Sequence, residues 1–507
     1  MKESLGNLKK AARELYLLEH TQATVSWDQE TQMPDAANEE RSDQLALLEG
    51  IMHQKLTSPE IGRLLSALGA DDEKPEGKGN FDIEDKAFVR EMYRSYSRAS
   101  RLPEKLVTEI ARQTGLAHSS WVEARKNADF SLFEEDLEKI IELNREKAGK
   151  IGYKDHPYDA LLDEYEPWMT ASKVEEVFGP LGKNLADLTA RIAKKKQVET
   201  SFVEKKYPVD KQNAFGTKVV EKLGYDFGRG RLDISAHPFT TTLGTNDVRI
   251  TTRYDESLVL SGLFSNIHEG GHAMYEMGVG ENIQGNILAA GVSLGIHESQ
   301  SRFWENMIGR SRAFWEIFYP DFQKTFSKQT EGVSLDDFYK AVNRVEPSFI
   351  RVEADEVTYS LHVILRFEIE KAMLSGDLKV SSLPDEWNRR MKSLLGIVPA
   401  DDSEGVLQDV HWSAGLIGYF PTYALGNLYA AQFMNSMENQ LGDVGKIVRS
   451  GDFSSILGWL RENIHQYGRV YPAEKLCRRV TGESLNPDYF MHYLENKYGE
   501  VYGLRGN

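Results

Sequence analysis

Two histidines four residues apart, with a glutamate directly after the first, form the clearest chemical motif of the sequence. The segment reads His268-Glu269-Gly270-Gly271-His272. Positions i and i+4 of a helix share one face, so both imidazoles can bind one metal ion. Glu269 lies beside that face and can act as general base toward a water on the metal. The pattern predicts metal-dependent hydrolysis of a polar carbonyl bond, the chemistry of HExxH zinc enzymes.

A catalytic zinc of this kind needs a third protein ligand and one open position. In one group of HExxH enzymes the motif continues with a glycine and then a third histidine. Here Tyr275 stands where that glycine is required, and Gly278 stands where the histidine belongs. The third ligand should therefore be a carboxylate.

Three glutamates after the motif are candidates for this ligand. Glu276 lies eight residues beyond His268, about 12 Å along a helix axis, which is too far to share a metal with both histidines. Glu298 lies on a second predicted helix after a loop. Two helices joined in this way can present His268, His272 and Glu298 to one point. Glu305, further along the same helix, is the alternative ligand.

Gly270 and Gly271 are unexpected in the middle of a helix, where each costs about 1 kcal/mol relative to alanine. The pair gains nothing structurally unless something packs close against the backbone. We interpret it as clearance for metal, water and substrate over the helix. The alternative is a kinked or capped helix end.

Three further side chains could stabilise a developing oxyanion. His237 follows a predicted strand and precedes a proline, His411 follows Gln408-Asp409, and Tyr423 lies in an apolar run near His411. An imidazole or a phenol can donate a hydrogen bond to such an oxygen. Each could equally be a structural group with its hydrogen bonds satisfied. His297, beside Glu298, points off its helix in another direction and is a candidate outer partner of the metal site.

To hold a peptide by its C-terminus, the site needs a fixed positive charge, which an arginine can supply. A fixed guanidinium suits a terminal carboxylate because it can bind both oxygens. The candidates are Arg351, and Arg249 or Arg253 beside the predicted hairpin. The Gly-x-Met-Glu-Asn signature of common zinc aminopeptidases is absent from the sequence. Each arginine alone could be half of an ordinary surface ion pair.

Helical periodicity dominates the sequence, with apolar groups at a spacing of about 3.6 residues in many segments. One region differs from this pattern. Residues 231–243 and 248–254 are rich in threonine, and polar and apolar residues alternate along them, which predicts a short hairpin or small sheet. The motif helix, predicted at 258–277, follows directly. An edge strand there could hold an extended peptide. We predict a mostly helical protein with a small sheet lining a groove.

Composition excludes several classes of partner. The chain has 507 residues and a net charge of −17, so neither nucleic acid nor an anionic membrane surface is expected as a partner. Cys477 is the single cysteine, which suits the reducing cytoplasm. The first residues form a charged amphipathic segment without the apolar region of a secretory signal. The apolar run at 414–433 is interpreted as buried core or site wall.

The motifs together resemble the carboxypeptidase Taq family of metallocarboxypeptidases. They follow one another over nearly the whole chain, and several are close to family-specific. The matching segments are 27–34 (Trp-Asp-Gln-Glu-Thr-Gln-Met-Pro), 237–239 (His-Pro-Phe), 247–251 (Asp-Val-Arg-Ile-Thr), 268–272, 297–300 (His-Glu-Ser-Gln), 350–355 (Ile-Arg-Val-Glu-Ala-Asp) and 405–412 (Gly-Val-Leu-Gln-Asp-Val-His-Trp). One departure is Ala36-Ala37, where a glycine is expected.

The resemblance implies a large, mainly α metallopeptidase fold with a deep substrate groove, similar to the neurolysin-like oligopeptidases. It implies one catalytic unit over 1–507, with a helical part to about 225 and the metal-site part from about 226. It also implies Zn²⁺, or Co²⁺, held by His268, His272 and Glu298, and release of C-terminal residues from peptides with broad side-chain tolerance. A homodimer is usual. Arg351 is carried over as the first candidate for the carboxylate anchor, with Arg249 second.

Two alternatives stay open at this point. An endo-oligopeptidase would use the same zinc chemistry but cut inside peptides. A non-catalytic metal-binding or peptide-binding protein would keep the ligands without turnover. An intact Glu269 argues against the second alternative, because a binding protein has no need of a general base.

Overall fold

Long helices build most of the chain, as the periodicity predicts. The computed structural model describes residues 1–504, with 66% of residues in helices and 3% in strands, which confirms the mainly α fold class. The helices are α1 (Lys2–Thr31), α2 (Asn38–Leu56), α3 (Pro59–Ala67), α4 (Ile83–Arg101), α5 (Glu104–Asn127), α6 (Glu134–Ile151), α7 (Pro157–Tyr165), α8 (Ala171–Ala193), α9 (Val209–Leu223), α10 (Val259–Met277), α11 (Leu294–Arg302), α12 (Arg312–Thr325), α13 (Leu335–Val342), α14 (Tyr359–Ser375), α15 (Leu383–Leu395), α16 (Pro421–Leu441), α17 (Val444–Ser450), α18 (Phe453–Asn463), α19 (Ala473–Thr481) and α20 (Asp488–Tyr502).

A three-stranded sheet lies directly before the motif helix. Its strands are β1 (Leu232–Ile234), β2 (Thr240–Gly244) and β3 (Asp247–Thr252), in the order β1-β3-β2. β2 and β3 form the predicted antiparallel hairpin, and β1 pairs with β3 in parallel. The small sheet predicted over 231–243 and 248–254 is confirmed, and its first segment is divided into β1 and β2 because residues 235–239 leave the sheet as a loop. Pro238 in that loop has no N–H to donate to a ladder.

Two clusters of buried apolar side chains support the fold. The larger runs from Ala117 to Tyr502, and the smaller joins α1, α3 and α4 to the loop between α10 and α11. The apolar run at 414–433 is mostly the buried first half of α16, as expected for a core segment. That the chain forms one catalytic unit stays a prediction.

Helices α11 and α16 pack closely against each other at Glu298. A Cβ placed on Gly426 of α16 would lie 2.5 Å from Cγ of Glu298. Only a glycine allows α16 to approach α11 so closely at this point. Within residues 1–504, no helix combines the length and the apolar composition that a membrane span requires.

Candidate metal centre and active site

Helices α10 and α11 bring His268, His272 and Glu298 together. The ligand atoms of these three side chains all lie within 4.8 Å of one another. Oε2 of Glu298 is 3.5 Å from Nε2 of His268 and 3.4 Å from Nε2 of His272. Tetrahedral zinc with bonds of about 2.0–2.1 Å separates its ligand atoms by about 3.4 Å. The two distances from Glu298 therefore match a tetrahedral metal ion, and the three side chains form a candidate ligand set.

The opposite nitrogen of each histidine is held by an outer partner. Nδ1 of His268 is 2.8 Å from Oε2 of Glu305. Nδ1 of His272 is 2.6 Å from Nδ1 of His297, whose Nε2 is 2.8 Å from Oε1 of Glu276. Such partners fix ring orientation and leave Nε2 of both rings for the metal. Glu305 is thus a partner of a ligand and not the third ligand itself, and His297 is the outer partner that the sequence indicated.

Glu298 is held so that one carboxylate oxygen faces the histidines. Arg302 donates from Nε to Oε1 at 2.7 Å. The Ser301 hydroxyl lies 3.1 Å from Oε2, but its nearer acceptor is the backbone carbonyl of Glu298, at 2.7 Å. Burial raises the pKa of Glu298, but the charges of Arg302 and His268 hold it well below its ordinary value. Glu298 is therefore ionised and ready to bind a cation. Arg302, four residues beyond Glu298, was missed in the sequence although its spacing places it on the same helix face.

The beginning of α11 is capped from two sides. Ser293 accepts a hydrogen bond from the backbone N–H of Ile296. Glu166 is fully buried and accepts from the hydroxyl of Ser293 and the N–H of Gly295, both at 2.9 Å. Burial raises the pKa of Glu166 to about 7. These contacts satisfy N–H groups that a helix start otherwise leaves without partners, and they fix the helix that carries Glu298.

A π-helical turn follows α11 and places Glu305 beside His268. It spans Phe303–Gly309. Turns of this kind recur at functional sites because they rotate the following side chains out of α-helical register. The carbonyl of Asn306 accepts from the hydroxyl of Tyr493 at 3.0 Å and from the ammonium of Lys497 at 3.3 Å. Helix α20 therefore stabilises the turn that carries Glu305.

Both glycines of the motif face other helices, and only Gly271 is needed for close helix packing, so their interpretation as clearance for substrate is wrong. A Cβ on Gly271 would lie 2.7 Å from the carbonyl oxygen of Gln300 and 2.7 Å from Cα of Ser301. The backbone of α11 thus occupies the space above Gly271. A Cβ on Gly270 would point instead to α9, at an ordinary 3.5 Å from Cγ1 of Val220.

Alanine substitutions at the two neighbouring glycines should have opposite effects. Gly271→Ala forces α10 and α11 apart, and we expect a loss of about 1–3 kcal/mol in the free energy of unfolding. Gly270→Ala meets no obstacle and should be neutral or stabilising by up to about 1 kcal/mol, because alanine favours a helix. Thermal and urea unfolding of both variants measure the difference. Equal destabilisation by the two substitutions would contradict this packing argument.

Glu269 is bound by a side chain from the sheet. It is 7% exposed, and its Oε2 accepts from the hydroxyl of Thr240 at 2.6 Å. Burial raises the pKa of Glu269, while His268 and the Thr240 hydroxyl act to lower it. A carboxylate whose pKa is raised toward neutral is a better proton acceptor in catalysis. Thr240 was not singled out in the sequence, where it is one of three consecutive threonines.

A second cluster contains Arg351, Asp409, His411 and Tyr423. Arg351 is 4% exposed, and its Nε and Nη2 donate to Oδ1 of Asp409 at 3.2 and 2.8 Å. Nε2 of His411 is 3.2 Å from the hydroxyl of Tyr423. Burial lowers the pKa of His411 to about 4 and raises that of Tyr423 well above its ordinary value. At neutral pH the imidazole is therefore uncharged and the phenol keeps its proton.

Tyr359 joins this cluster to the metal ligands. Its hydroxyl accepts from Nη1 of Arg351 at 3.0 Å. The guanidinium of Arg302 lies 4.5 Å from the centre of the same ring. Since Arg302 also binds Glu298, one continuous network connects the arginine cluster with the candidate metal centre. No local pattern in the sequence indicates this role of Tyr359.

Arg249 and His237 lie elsewhere on the sheet. Arg249 pairs with Asp247 through two hydrogen bonds of 2.8 and 2.7 Å, and its guanidinium is 4.2 Å from the centre of a Trp27 ring. Arg249 pairs with Thr241 across the hairpin, so its side chain projects from the opposite face of the sheet to that of Thr240. Thr240 is the residue that binds Glu269. His237 is exposed in the loop between β1 and β2. The structure does not bring either side chain against the histidine pair.

Nearly the whole chain matches one protein family. The model of the family described as "Carboxypeptidase Taq (M32) metallopeptidase" matches residues 7–498. Thermostable carboxypeptidase 1 of Thermus thermophilus is 43% identical, and the match covers 98% of each chain. Carboxypeptidase 1 of Bacillus subtilis is 41% identical, with 95% of each chain covered.

Solved structures match equally well. The M32 carboxypeptidase from Deinococcus radiodurans superposes with a TM-score of 0.95 at 39% identity, covering 99% of this chain and 100% of its own. The carboxypeptidase of Pyrococcus furiosus gives a TM-score of 0.94 at 40% identity, covering 98% of this chain and 99% of its own.

Proposed function

The chain belongs to the carboxypeptidase Taq (M32) family and is a metal-dependent carboxypeptidase; on this premise we propose that its metal is zinc and its general base is Glu269. The observation that carries the proposal is the convergence of His268, His272 and Glu298 within 4.8 Å, directly beside the buried carboxylate of Glu269. The family resemblance predicted from the sequence is confirmed. Carboxypeptidase function sets aside both alternatives, the endo-oligopeptidase and the non-catalytic binding protein.

The residues present fit a divalent metal. Two imidazole nitrogens and one carboxylate oxygen suit Zn²⁺ and also Co²⁺. When bound, the ion supplies Lewis acidity that acidifies a water and polarises the scissile carbonyl. Elemental analysis of protein purified without added metal distinguishes zinc from cobalt, and stoichiometric cobalt would overturn the assignment of zinc.

Glu269 performs the proton transfers in this proposal. Its carboxylate accepts a proton from the attacking water and passes it to the leaving amine. Tyr423 keeps its proton and can donate to the developing oxyanion, with His411 as the partner of the hydroxyl. His411 and His237 remain the other candidates for this donor. The exposed position of His237 favours the pair of His411 and Tyr423.

Arg351 is the proposed anchor for the terminal carboxylate, ahead of Arg249. A guanidinium has five N–H groups, and the described contacts of Arg351 use three of them, two on Asp409 and one on Tyr359. The remaining N–H groups can bind a substrate carboxylate. Arg249 is turned toward Trp27, on the other face of the sheet from Thr240.

Blocking the substrate carboxylate should reveal the anchor. We expect C-terminal amidation of a peptide to lower kcat/KM about 10- to 100-fold, the value of hydrogen bonds to a charged group. Arg351→Lys keeps a positive charge beside Asp409 but loses the paired N–H groups of the guanidinium. The ratio of kcat/KM for the free-acid peptide to kcat/KM for the amidated peptide should therefore be smaller in this variant. Arg249→Lys is the matched control and should leave that ratio unchanged. If Arg249→Lys lowered this ratio and Arg351→Lys left it unchanged, Arg249 would be the anchor.

We further propose a cytoplasmic homodimer. The family resemblance and the single cysteine support it; Cys477 is buried as a free thiol. In the described chain no side chain of α2 is buried, and Leu47 on it is 65% exposed. A second copy that packed on α2 would cover this side chain. Light scattering of the purified protein tests the assembly, and the mass of a single chain at micromolar concentration would contradict it.

A further inference from the structure

We propose that Thr240 is a positioning residue for the general base, and the proposal rests on the assignment of that role to Glu269. Its hydroxyl holds Oε2 of Glu269 and leaves Oε1 free to face the attacking water. Thr240 therefore acts through Glu269 and not on the substrate. From the sequence, the strand that carries Thr240 was expected only to serve as an edge to which an extended peptide could bind.

The contact has the geometry of a strong hydrogen bond. The Thr240 hydroxyl is 2.6 Å from Oε2 of Glu269 and 3.0 Å from the backbone carbonyl of the same residue. A hydroxyl has one hydrogen to donate. Distances of about 2.5–2.7 Å are typical of O–H donation to a carboxylate, so the hydrogen lies on Oε2. The bond fixes both the side-chain rotation and the identity of the free oxygen.

Glu269 needs this bond because its other neighbours do not hold the carboxylate. The Glu269 side chain is buried, with 7% of the residue exposed, so solvent does not orient its carboxylate. The Thr240 hydroxyl is the one hydrogen-bond donor to the Glu269 carboxylate among residues 1–504. Catalytic groups must be held to about 0.5 Å for full efficiency. A buried carboxylate without this donor would rotate away from the water.

The fold directs Thr240 to this position and excludes its neighbours. Thr240 stands opposite Ile250, a buried residue of β3, so it projects toward the face that packs on α10. Thr241 stands opposite Arg249 and projects from the other face. Thr242 shares the face of Thr240, but no hydrogen bond joins it to Glu269 in the described part of the chain. Of the three consecutive threonines, only Thr240 can therefore position the base.

The test compares valine substitutions along the strand. Thr240→Val keeps the shape and the β-branched character of threonine but removes the hydroxyl. We expect kcat to fall about 10- to 100-fold, as for the loss of a hydrogen bond to a charged group, with KM and metal content within about twofold. Thr240→Ser should restore most of kcat. Thr241→Val and Thr242→Val are controls with unchanged kcat.

The outcomes separate this inference from the assignment of the base. A Thr240→Val variant with the kcat of the Thr241→Val control overturns the positioning role, even when Glu269→Gln is inactive. Equal losses in Thr240→Ser and Thr240→Val overturn it as well, because the hydroxyl would then not be the cause. An active, metal-loaded Glu269→Gln variant overturns the assignment of the base itself. If Thr240→Val does not fold, Thr240→Ala takes its place in the comparison with Thr240→Ser. Equal losses of kcat in these two variants would then overturn the positioning role.

Discussion

The Glu269→Gln variant should bind metal and fold normally but lose about 10²- to 10⁴-fold in kcat, the usual contribution of a general acid–base group. Glutamine has the shape of glutamate and can still accept the hydrogen bond that Thr240 donates at 2.6 Å. It cannot take a proton from water at neutral pH. The three metal ligands are unchanged, so the metal content should equal that of the wild type. Steady-state kinetics and elemental analysis measure the two quantities.

A matched substitution controls for the loss of one negative charge. Glu281→Gln removes a charge from an exposed glutamate in the loop after α10, and its kcat should equal that of the wild type. A fully active Glu269→Gln variant with bound metal would contradict the role of Glu269. A variant that loses the metal together with activity would instead show that Glu269 contributes to metal binding.

The Asp409→Asn variant should lose about 3–5 kcal/mol of the free energy of unfolding, the usual cost of breaking a buried ion pair from one side. Asp409 binds two buried cations, Arg351 at 2.8 Å and Arg366 at 2.5 Å, whose side chains are 5% and 0% exposed. Without the carboxylate these guanidinium groups face each other unpaired. The Asp72→Asn variant is the control, because Asp72 is 66% exposed where it pairs with Arg101; its loss should stay below about 1 kcal/mol. Thermal and urea unfolding compare the variants.

The pH dependence of stability gives this prediction a second check. Burial acts to raise the pKa of Asp409, but the charges of Arg366 and Arg351 hold it below its ordinary value. A group with a depressed pKa contributes its full stability above its unfolded pKa, about 3.9, and loses it as the pH falls toward the folded value. The stability difference between wild type and Asp409→Asn should therefore be constant near neutral pH and narrow below about pH 4. A difference that widened in acid would contradict the ion pairs.

The two histidines of the candidate metal centre were predictable because their spacing is local. His268 and His272 lie one helical turn apart, so the sequence alone puts them on one face. Glu298 was favoured on the expectation of two packed helices, and α10 and α11 do pack in this way. Glu305 could not be separated from it by spacing alone. The π-helical turn that rotates Glu305 toward Nδ1 of His268 has no signal in the residue types.

The roles that were missed or misread depend on tertiary contacts. Gly271 was read as space for substrate, but the backbone of α11 fills that space. Thr240 reaches Glu269 only because β2 pairs with β3 in one register, and a shift of one residue would turn it to the other face. Arg302 and Tyr359 meet through side-chain packing of residues far apart in the sequence. Local patterns therefore predict ligands well and the groups that position them poorly.

Mass spectrometry of one peptide digest, with and without a chelator, shows whether the protein is a metal-dependent carboxypeptidase. A peptide with a free C-terminal carboxylate is incubated with the purified protein, with protein treated with a chelator, and with treated protein to which Zn²⁺ is returned. We expect a ladder of products that lose single residues from the C-terminus, its disappearance after chelation and its return with zinc. Internal cuts, or a ladder that persists when elemental analysis finds no metal, would contradict it.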